Sequence, residues 1–322
     1  MKGELDTKQI KLILDKVYNA GVIWLCFTGG DPLVRSDFPE VYTYAKNKGF
    51  LITIFSNGYS MTTKIADCLK ESPPFAIEIT LNSIIKKNYE KISCIKESFN
   101  KTMRGLNLIL DRNLPLKIKT QVTNDNLEEL PKIRAFVENL GFKFRPSAFL
   151  HARLDGDLYP ASLRIKPEEV IGLKKIHNLE EPEEECKTKA RGLPPFDKQI
   201  NKHNNHLFKC AIVGGDGINI DPYGNMFPCI CIRKPRINLI KESVREAHKT
   251  ILAWVRTRKF DTDSFCKTCA IIRYCYRCPG KALLETGSLE KPLDWFCNFA
   301  HLITNRQKIL KLKRSKKCTV SS

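Results

Sequence analysis

The stretch VIWLCFTGGDPL, residues 22–33, joins a continuous apolar run to two glycines and an acidic residue. The run VIWLCF (22–27) predicts a parallel β-strand that is buried on both faces. Gly29 and Gly30 follow at the strand end, where the lack of side chains lets the backbone approach a ligand. In parallel α/β sheets and barrels, ligands bind at this end of the strands. Taken alone, however, the segment favours an ordinary strand-to-helix turn.

Strand and helix patterns alternate around this stretch. A helix is predicted over 5–21, with Asp6 as its N-cap, Gln9 reaching back to the cap and Gly21 as its stop. A second clear helix is predicted over 127–140. This alternation predicts a parallel sheet with crossover helices. The five predicted strands are VIWLCF (22–27), LITIF (51–55), FAIEITL (75–81), LKIKTQV (116–122) and FKFRPSAF (142–149).

Composition limits the class of protein. No apolar run approaches the roughly 18 residues that span a bilayer, and the N-terminus lacks the apolar segment of a secretory signal. We therefore expect a cytoplasmic protein without a membrane partner. The 13 cysteines then indicate metal binding or catalysis, because disulfides are rare in a reducing compartment.

The net charge is +19, and much of the local excess of cations lies in the tail RQKILKLKRSKK (306–317). Such a basic run is compatible with binding to nucleic acid or to an acidic partner. No interleaved aromatic pattern accompanies it, and charge runs are usually solvated termini. Nucleic acid is therefore not the expected partner.

Residues 266–278, CKTCAIIRYCYRC, contain two C-x2-C pairs separated by five residues. The pairs of a common zinc ribbon are separated by roughly 15–20 residues, so this spacing is short for zinc. Tight cysteine runs are typical of iron–sulfur clusters. The spacing favours iron–sulfur over zinc and leaves zinc as the alternative.

Cysteines outside this run extend the pattern. The segment GINIDPYGNMFPC (217–229) predicts a β-hairpin that delivers Cys229. The order Cys210, Gly224, Cys229, the run 266–278 and Cys297 resembles the SPASM domain, with two residues instead of three between Cys275 and Cys278.

The SPASM resemblance implies two auxiliary [4Fe–4S] clusters. One would be held by Cys266, Cys269, Cys275 and Cys297. The other would be held by Cys210, Cys229 and Cys278, with its fourth position either open or filled by Cys231.

A partial βα barrel with a Gly-Gly-acid segment and a SPASM-like domain resembles the radical S-adenosylmethionine (SAM) enzymes over about residues 5 to 303. This resemblance implies a partial TIM-like (βα) barrel that lacks its first strand, followed by a small cysteine-rich iron–sulfur domain. It also implies a SAM site, in which Asp31 replaces the usual glutamate. The implied site residues are Gly29, Gly30, Asp31, Ser56 and Asn57.

Two further segments bear on the same resemblance. The stretch ITLNS (79–83) lies where the family has a ribose segment, with Ser83 in place of a glycine and Asn82 as a candidate contact. The segment 154–169 resembles the linker of peptide-modifying members. The resemblance therefore implies a peptide or protein substrate, modified through hydrogen abstraction by a 5′-deoxyadenosyl radical.

Radical SAM enzymes hold their radical-forming cluster with C-x3-C-x2-C, a spacing absent from these 322 residues. Cys26, Cys68 and Cys94 are the only cysteines before 186, and Cys26 is expected to act as a small hydrophobe inside a buried strand. We expect the motif to lie before Met1. Two explanations compete: the chain is truncated, or the protein is degenerate and has lost catalysis. The intact auxiliary cysteines favour truncation. The chain alone is not expected to cleave SAM.

The predicted organisation is a barrel over 1–151, a linker over 152–205, an iron–sulfur domain over 206–303 and a basic tail over 304–322. Two alternatives to an enzyme stay open. One is a zinc-stabilised, cysteine-rich basic protein that binds nucleic acid or another partner. The other is a pseudo-enzyme that keeps its clusters and docks a peptide.

Overall fold

A computed structural model describes residues 3–176 and 205–305 of the protein. It divides into two compact units. The first lies within Met1–Leu150, Ile218–Phe227 and Pro235–Thr250, and the second within His151–Gly217, Pro228–Lys234 and Ile251–Ser322. Most of the predicted linker (177–204) and of the basic tail (306–322) lies outside the described residues. No described helix is both long enough and apolar enough to cross a membrane.

The first unit is built on one parallel sheet whose strands follow chain order. The five predicted strands are confirmed as β1 (Trp24–Phe27), β2 (Leu51–Ser56), β3 (Ala76–Thr80), β4 (Leu116–Gln121) and β5 (Arg145–Ser147). Six helices alternate with them: α1 (Thr7–Asn19), α2 (Phe38–Asn47), α3 (Thr63–Glu71), α4 (Lys86–Ser93), α5 (Ser98–Leu110) and α6 (Leu130–Asn139). The predicted α/β architecture is therefore confirmed.

The two faces of this sheet differ. Alternate side chains of the inner strands, such as Ile54, Ile77 and Ile118, are completely buried. The intervening side chains are partly exposed, and in β1 Trp24 and Cys26 are exposed. The prediction that strand 22–27 is buried on both faces was therefore wrong, as was the placement of Cys26 inside it. The physical reason is that the strand register places Trp24 and Cys26 on the partly exposed face of the sheet, the face that also carries Glu78 and Lys117.

Helix α1 shows how local sequence sets these elements. The Asp6 carboxylate accepts a hydrogen bond from the Gln9 N–H at 2.8 Å, and the Gln9 side chain accepts one from the Asp6 N–H at 3.0 Å. This reciprocal capping box satisfies two N–H groups that the helix leaves without partners. Gly21, with a φ of +90°, follows the helix end. Both predicted ends of this helix are confirmed.

The predicted hairpin is confirmed as β6 (Asn219–Ile220) and β7 (Asn225–Phe227), to which β8 (Ile237–Asn238) adds a third antiparallel strand. Asp221 Oδ1 accepts hydrogen bonds from the N–H groups of Tyr223 and Asn225, which fixes the turn. These strands group with the first unit, although the predicted 206–303 domain includes them.

The second unit is loop-rich. Its helices include α7 (Tyr159–Ser162), α8 (Pro167–Ile176), the last turns of Val244–Thr257, the helix Pro279–Thr286 and residues 294–305. Its buried core is small and contains Leu207, Phe208, Ile232, Val255, Phe260 and Cys266. One of the predicted cluster ligands thus belongs to the core itself.

Candidate functional site

Asp31 joins the loops that follow β1 and β2. Its carboxylate accepts hydrogen bonds from the Ser56 hydroxyl at 2.8 Å and from the Asn57 N–H at 3.0 Å. The same carboxylate accepts the Leu33 N–H at 3.0 Å and so caps the short helical turn Pro32–Val34. Because these contacts involve both loops, Asp31 fixes the loop after β1 against the loop after β2.

The two glycines before Asp31 present open backbone. A side chain placed on Gly29 or Gly30 would meet no atom within 4 Å, and both residues are exposed. The φ of Gly29 is +124°, a conformation that L side chains rarely adopt. All five residues predicted for the SAM site therefore lie together at the carboxyl ends of β1 and β2.

Helix α5 packs against the loop that follows β2. A Cβ atom on Gly105 would lie 2.1 Å from the carbonyl oxygen of Gly58, so the helix approaches the loop as closely as glycine allows. Gly58 in turn donates its N–H to the Ser56 hydroxyl at 2.9 Å. Sequence reasoning missed Gly105. The available signal was a glycine in a helix interior, which costs about 1 kcal/mol and so requires a packing reason.

The residues predicted beside the ribose are engaged within the protein. Ser83 is fully buried, and its hydroxyl donates to the Glu129 carboxylate at 2.7 Å. Glu129 also accepts the Ile84 N–H at 2.7 Å, at the start of α4. The Asn82 side-chain oxygen accepts the Gln121 N–H at 2.9 Å. The Ser83 side chain therefore has a structural role, since its hydroxyl binds Glu129 within the protein.

The first predicted cysteine set is grouped in the second unit. Burial, together with the charges of the nearby Cys297, Cys266 and Cys269 thiols, raises the pKa of the Cys275 thiol to about 11. Cys297 is likewise within electrostatic range of Cys266 and Cys269. The thiols of this set thus interact with one another.

The second set forms another group. Cys210 is within electrostatic range of Cys278 and Cys229. Cys229 and Ile232 exchange backbone hydrogen bonds across a tight turn, which leaves Cys231 buried between them. The Cys231 thiol donates to Cys229 and thereby lowers the pKa of Cys229. The same contact and burial raise the pKa of Cys231, which also interacts with Cys278.

The helix Pro279–Thr286 fixes the position of Cys231 relative to Cys278. Cys278 is the N-cap residue of this helix. Two residues later, a Cβ atom on Gly280 would lie 2.7 Å from the Cβ atom of Cys231. A side chain at position 280 would therefore separate the two cysteines, whereas glycine lets them approach.

Thiols such as these bind both zinc and iron–sulfur clusters. Within residues 3–176 and 205–305, no three His, Cys, Asp or Glu side chains are arranged to hold one metal ion. Structural zinc requires its ligands around a single centre. In a [4Fe–4S] cluster the thiolates bind different iron atoms, so its ligands surround a larger object. The two groups of thiols supply the donor type that such a cluster takes.

The sequence of this chain is similar to sequences of known proteins. Residues 2–137, which include β1 to β4, match the model of the Radical SAM superfamily. The AdoMet-dependent heme synthase of Methanosarcina barkeri is 23% identical over 304 residues, which cover 88% of this chain and 85% of that protein. The PqqA peptide cyclase of Granulibacter bethesdensis is 25% identical over 43% of this chain and 37% of its own length.

The fold also matches solved structures. The crystal structure of Streptococcus suis SuiB bound to S-adenosylmethionine aligns with a TM-score of 0.64 and 14% identity, over 91% of this chain and 70% of SuiB. SuiB has also been solved with its precursor peptide SuiA. At this identity the likeness shows the fold, which confirms the partial TIM-like barrel of the first unit.

Proposed function

We propose that this chain, whose residues 2–137 match the Radical SAM superfamily, binds SAM and two auxiliary iron–sulfur clusters in the modification of a peptide or protein. The observation that carries the proposal is the Asp31 carboxylate, which gathers Ser56 and Asn57 beside the open Gly29–Gly30 backbone. This arrangement lies at the strand end where parallel sheets bind ligands.

The SAM site would use backbone and side chains differently. The exposed Gly29–Gly30 segment can accept hydrogen bonds from an ammonium group, because no side chain covers its carbonyl groups. The Asp31 carboxylate already accepts bonds from Leu33, Ser56 and Asn57. Asp31 therefore positions the loops that meet SAM, which accounts for an acidic side chain one methylene shorter than glutamate.

The auxiliary clusters would be held by thiolates of the second unit. One set is Cys266, Cys269, Cys275 and Cys297, and the other is Cys210, Cys229, Cys278 and Cys231. When bound, such clusters supply one-electron redox chemistry. Cys231 completes the second set because it is buried against Gly280 and interacts with both Cys229 and Cys278.

The chain's own residues do not supply the radical-forming cluster. The C-x3-C-x2-C spacing that holds it in the family is absent from the 322 residues. We therefore assign SAM binding to these residues and expect no cleavage of SAM by them alone.

Two substrate classes are supported by relatives. A PqqA peptide cyclase and a SuiB–peptide complex favour a peptide. An AdoMet-dependent heme synthase, whose similarity extends over 88% of this chain, favours a tetrapyrrole as the second candidate.

Iron analysis and SAM titration test the proposal. After anaerobic reconstitution of the full chain, we expect brown protein with broad absorbance near ~400 nm and about eight irons, as two four-iron clusters require. Calorimetric titration should show one SAM site, and Asp31→Ala should weaken it. Colourless protein that carries stoichiometric zinc would overturn the proposal and support the zinc-stabilised alternative.

A further inference from the structure

One face of the parallel sheet in the first unit is charged rather than apolar. Alternation along β4 brings Lys117 and Lys119 to the same face. The strand register sets Glu78 of β3 beside Lys117, and Arg145 of β5 beside Lys119. The opposite face carries the fully buried side chains Ile77 and Ile118. A parallel sheet usually buries both faces, so an open charged face requires an explanation.

Three cations on this face share a single carboxylate. Glu78 lies 3.5 Å from Arg145, 3.8 Å from Lys119 and 4.0 Å from Lys117. Each distance exceeds that of a protein hydrogen bond, which is about 2.7–3.2 Å. Within the described residues, the side chains of these three cations make no hydrogen bond. Their donors are therefore available to a ligand.

The three cationic side chains are only partly exposed to solvent. The Lys117, Lys119 and Arg145 side chains are 43%, 35% and 50% exposed, whereas Glu78 is 16% exposed. Like charges gathered in a partly desolvated site repel one another. A second carboxylate would relieve that repulsion.

Aromatic rings border the charged group. Lys119 Nζ lies 3.8 Å from the centroid of the Phe55 ring, and Lys117 Nζ lies 5.5 Å from that of Phe75. Phe75 in turn meets Trp24 edge to face, at 4.4 Å between ring centroids. Trp24 and Phe75 are about half exposed. This face thus combines cation donors with an apolar border.

The charged face also adjoins the candidate cofactor site. Phe55, which lies under Lys119, directly precedes Ser56, the residue whose hydroxyl donates to Asp31. A ligand held on this face would therefore lie next to the loops assigned to SAM. Radical chemistry requires that proximity, because a substrate must be held in contact range of the reacting group.

We infer that Lys117, Lys119 and Arg145 form a binding site for a carboxylate of the substrate, with the Phe55, Phe75 and Trp24 rings against the apolar body that carries it. The inference rests on the proposed function and specifies its substrate as an organic anion. Glu78 holds the three cations together and competes with the incoming carboxylate. The same chemistry is offered by a glutamate-bearing peptide and by a porphyrin carboxylate.

Matched probes distinguish carboxylate recognition from general adhesion. A tyrosine–glutamate peptide and its glutamine twin form one pair, and coproporphyrin III and its methyl ester form the other. Binding to the full chain is followed through tryptophan fluorescence and calorimetry, without SAM or iron. For the pair that binds, we expect the dissociation constant of the acid to be at least about tenfold lower than that of its neutral twin. A hydrogen bond to a charged group contributes roughly the free energy that corresponds to this ratio.

Substitutions test the assigned residues in opposite directions. Lys119→Gln and Arg145→Gln should each remove most of the preference for the acid. Glu78→Gln should strengthen binding of the acid, because it removes the competing carboxylate. Lys132→Gln, the same change at an exposed position on α6, should leave the preference unchanged. A purely structural role for the cluster predicts no gain in affinity for Glu78→Gln.

The outcomes separate cleanly. Preference for the acid in the peptide pair supports the site with a peptide substrate, and preference in the porphyrin pair supports it with a tetrapyrrole. Equal binding of acid and neutral probes, or no binding of either acid, overturns the inference. SAM titration in parallel keeps the two proposals distinct, because loss of the carboxylate preference with intact SAM binding rejects only the carboxylate site.

Discussion

The Ser56 hydroxyl stands between two groups that it connects: it donates to the Asp31 carboxylate at 2.8 Å and accepts the Gly58 N–H at 2.9 Å. A single oxygen atom thereby couples the Gly-Gly-Asp segment after β1 to the turn after β2. The candidate cofactor site depends on this coupling, because its two loops come from strands that are separated in sequence by more than twenty residues.

Ser56→Ala should lower the binding free energy of SAM by more than it lowers the free energy of unfolding. The change removes one hydrogen bond to a carboxylate and one acceptor for a backbone N–H, so we expect the free energy of unfolding to fall by about 1–2 kcal/mol. Calorimetric SAM titration and urea unfolding measure the two effects. Ser60→Ala in the same loop region is the matched control. Unchanged SAM affinity in Ser56→Ala would contradict the role assigned to the hydroxyl.

Gly105→Ala tests the support beneath the loop. The added methyl would lie 2.1 Å from the Gly58 carbonyl oxygen, so helix or loop must shift. Overpacking of this kind costs about 1–3 kcal/mol, and the displaced loop should bind SAM less tightly. Gly172→Ala in α8 is the control, since its added methyl would meet no atom within 4 Å. Equal behaviour of the two variants would show that the close approach has no consequence.

Single cysteine changes should remove one cluster at a time. Cys275→Ser is expected to lower the iron content by up to about four atoms, and so is Cys278→Ser, whereas combining the two should empty both sites. Iron analysis with electron paramagnetic resonance of the reduced protein distinguishes the remaining cluster. Cys68→Ser, which lies outside both sets, should retain all of the iron. Losses that do not add in the double variant would argue against two separate clusters.

Cys231→Ser tests the fourth ligand of the second set. If Cys231 binds iron, the substitution should change the resonance of that cluster and make it lose iron more readily to a chelator. The cluster held by Cys275 should keep its signal. An unchanged spectrum and unchanged chelation rate would leave the fourth iron position open to another ligand.

Glu290 gives the second unit a pH dependence of its own. Burial alone would raise the pKa of Glu290, but the Thr262 hydroxyl and the Asp261 and Thr262 N–H groups donate to its carboxylate and lower the pKa below 4.5. A lowered folded-state pKa stabilises the protein above the unfolded value, and this contribution is lost as pH falls through the folded value. Glu290→Gln should therefore destabilise the protein at pH 7 and have less effect near pH 3. Urea unfolding at both values, with Glu128→Gln as the exposed control, measures the difference.

Much of the fold could be predicted because its signals are local. The Asp6–Gln9 capping box, the Asp221 turn and the five strands each depend on residues close in sequence. The exposure of Cys26 could not be predicted in this way, because it depends on which face of the assembled sheet is left partly exposed.

The residues of the candidate sites likewise differ in whether their signal is local in sequence. The Gly29–Asp31 and Ser56–Asn57 segments are short motifs, and the sequence identified both. The role of Gly105 depends on an approach between a helix and a loop that are distant in sequence, so no local pattern identifies its partner Gly58. The charged sheet face does have a local signal, because Lys117 and Lys119 alternate within β4 and this places two cations on one face.

The hairpin 218–227 has a consequence for how this protein can be divided or recombined. Its Pro222 carbonyl accepts the Leu5 N–H at 2.9 Å, and the Leu239 carbonyl accepts Lys16 Nζ at 2.6 Å, so the first unit is completed by chain that follows the second unit's opening segment. A fragment ending at residue 150 would expose the α1 surface that this later chain covers. Modular transplantation of the cysteine-rich unit would likewise carry away part of the barrel unit. Because the segments of the two units alternate along the chain, a single cut cannot separate them.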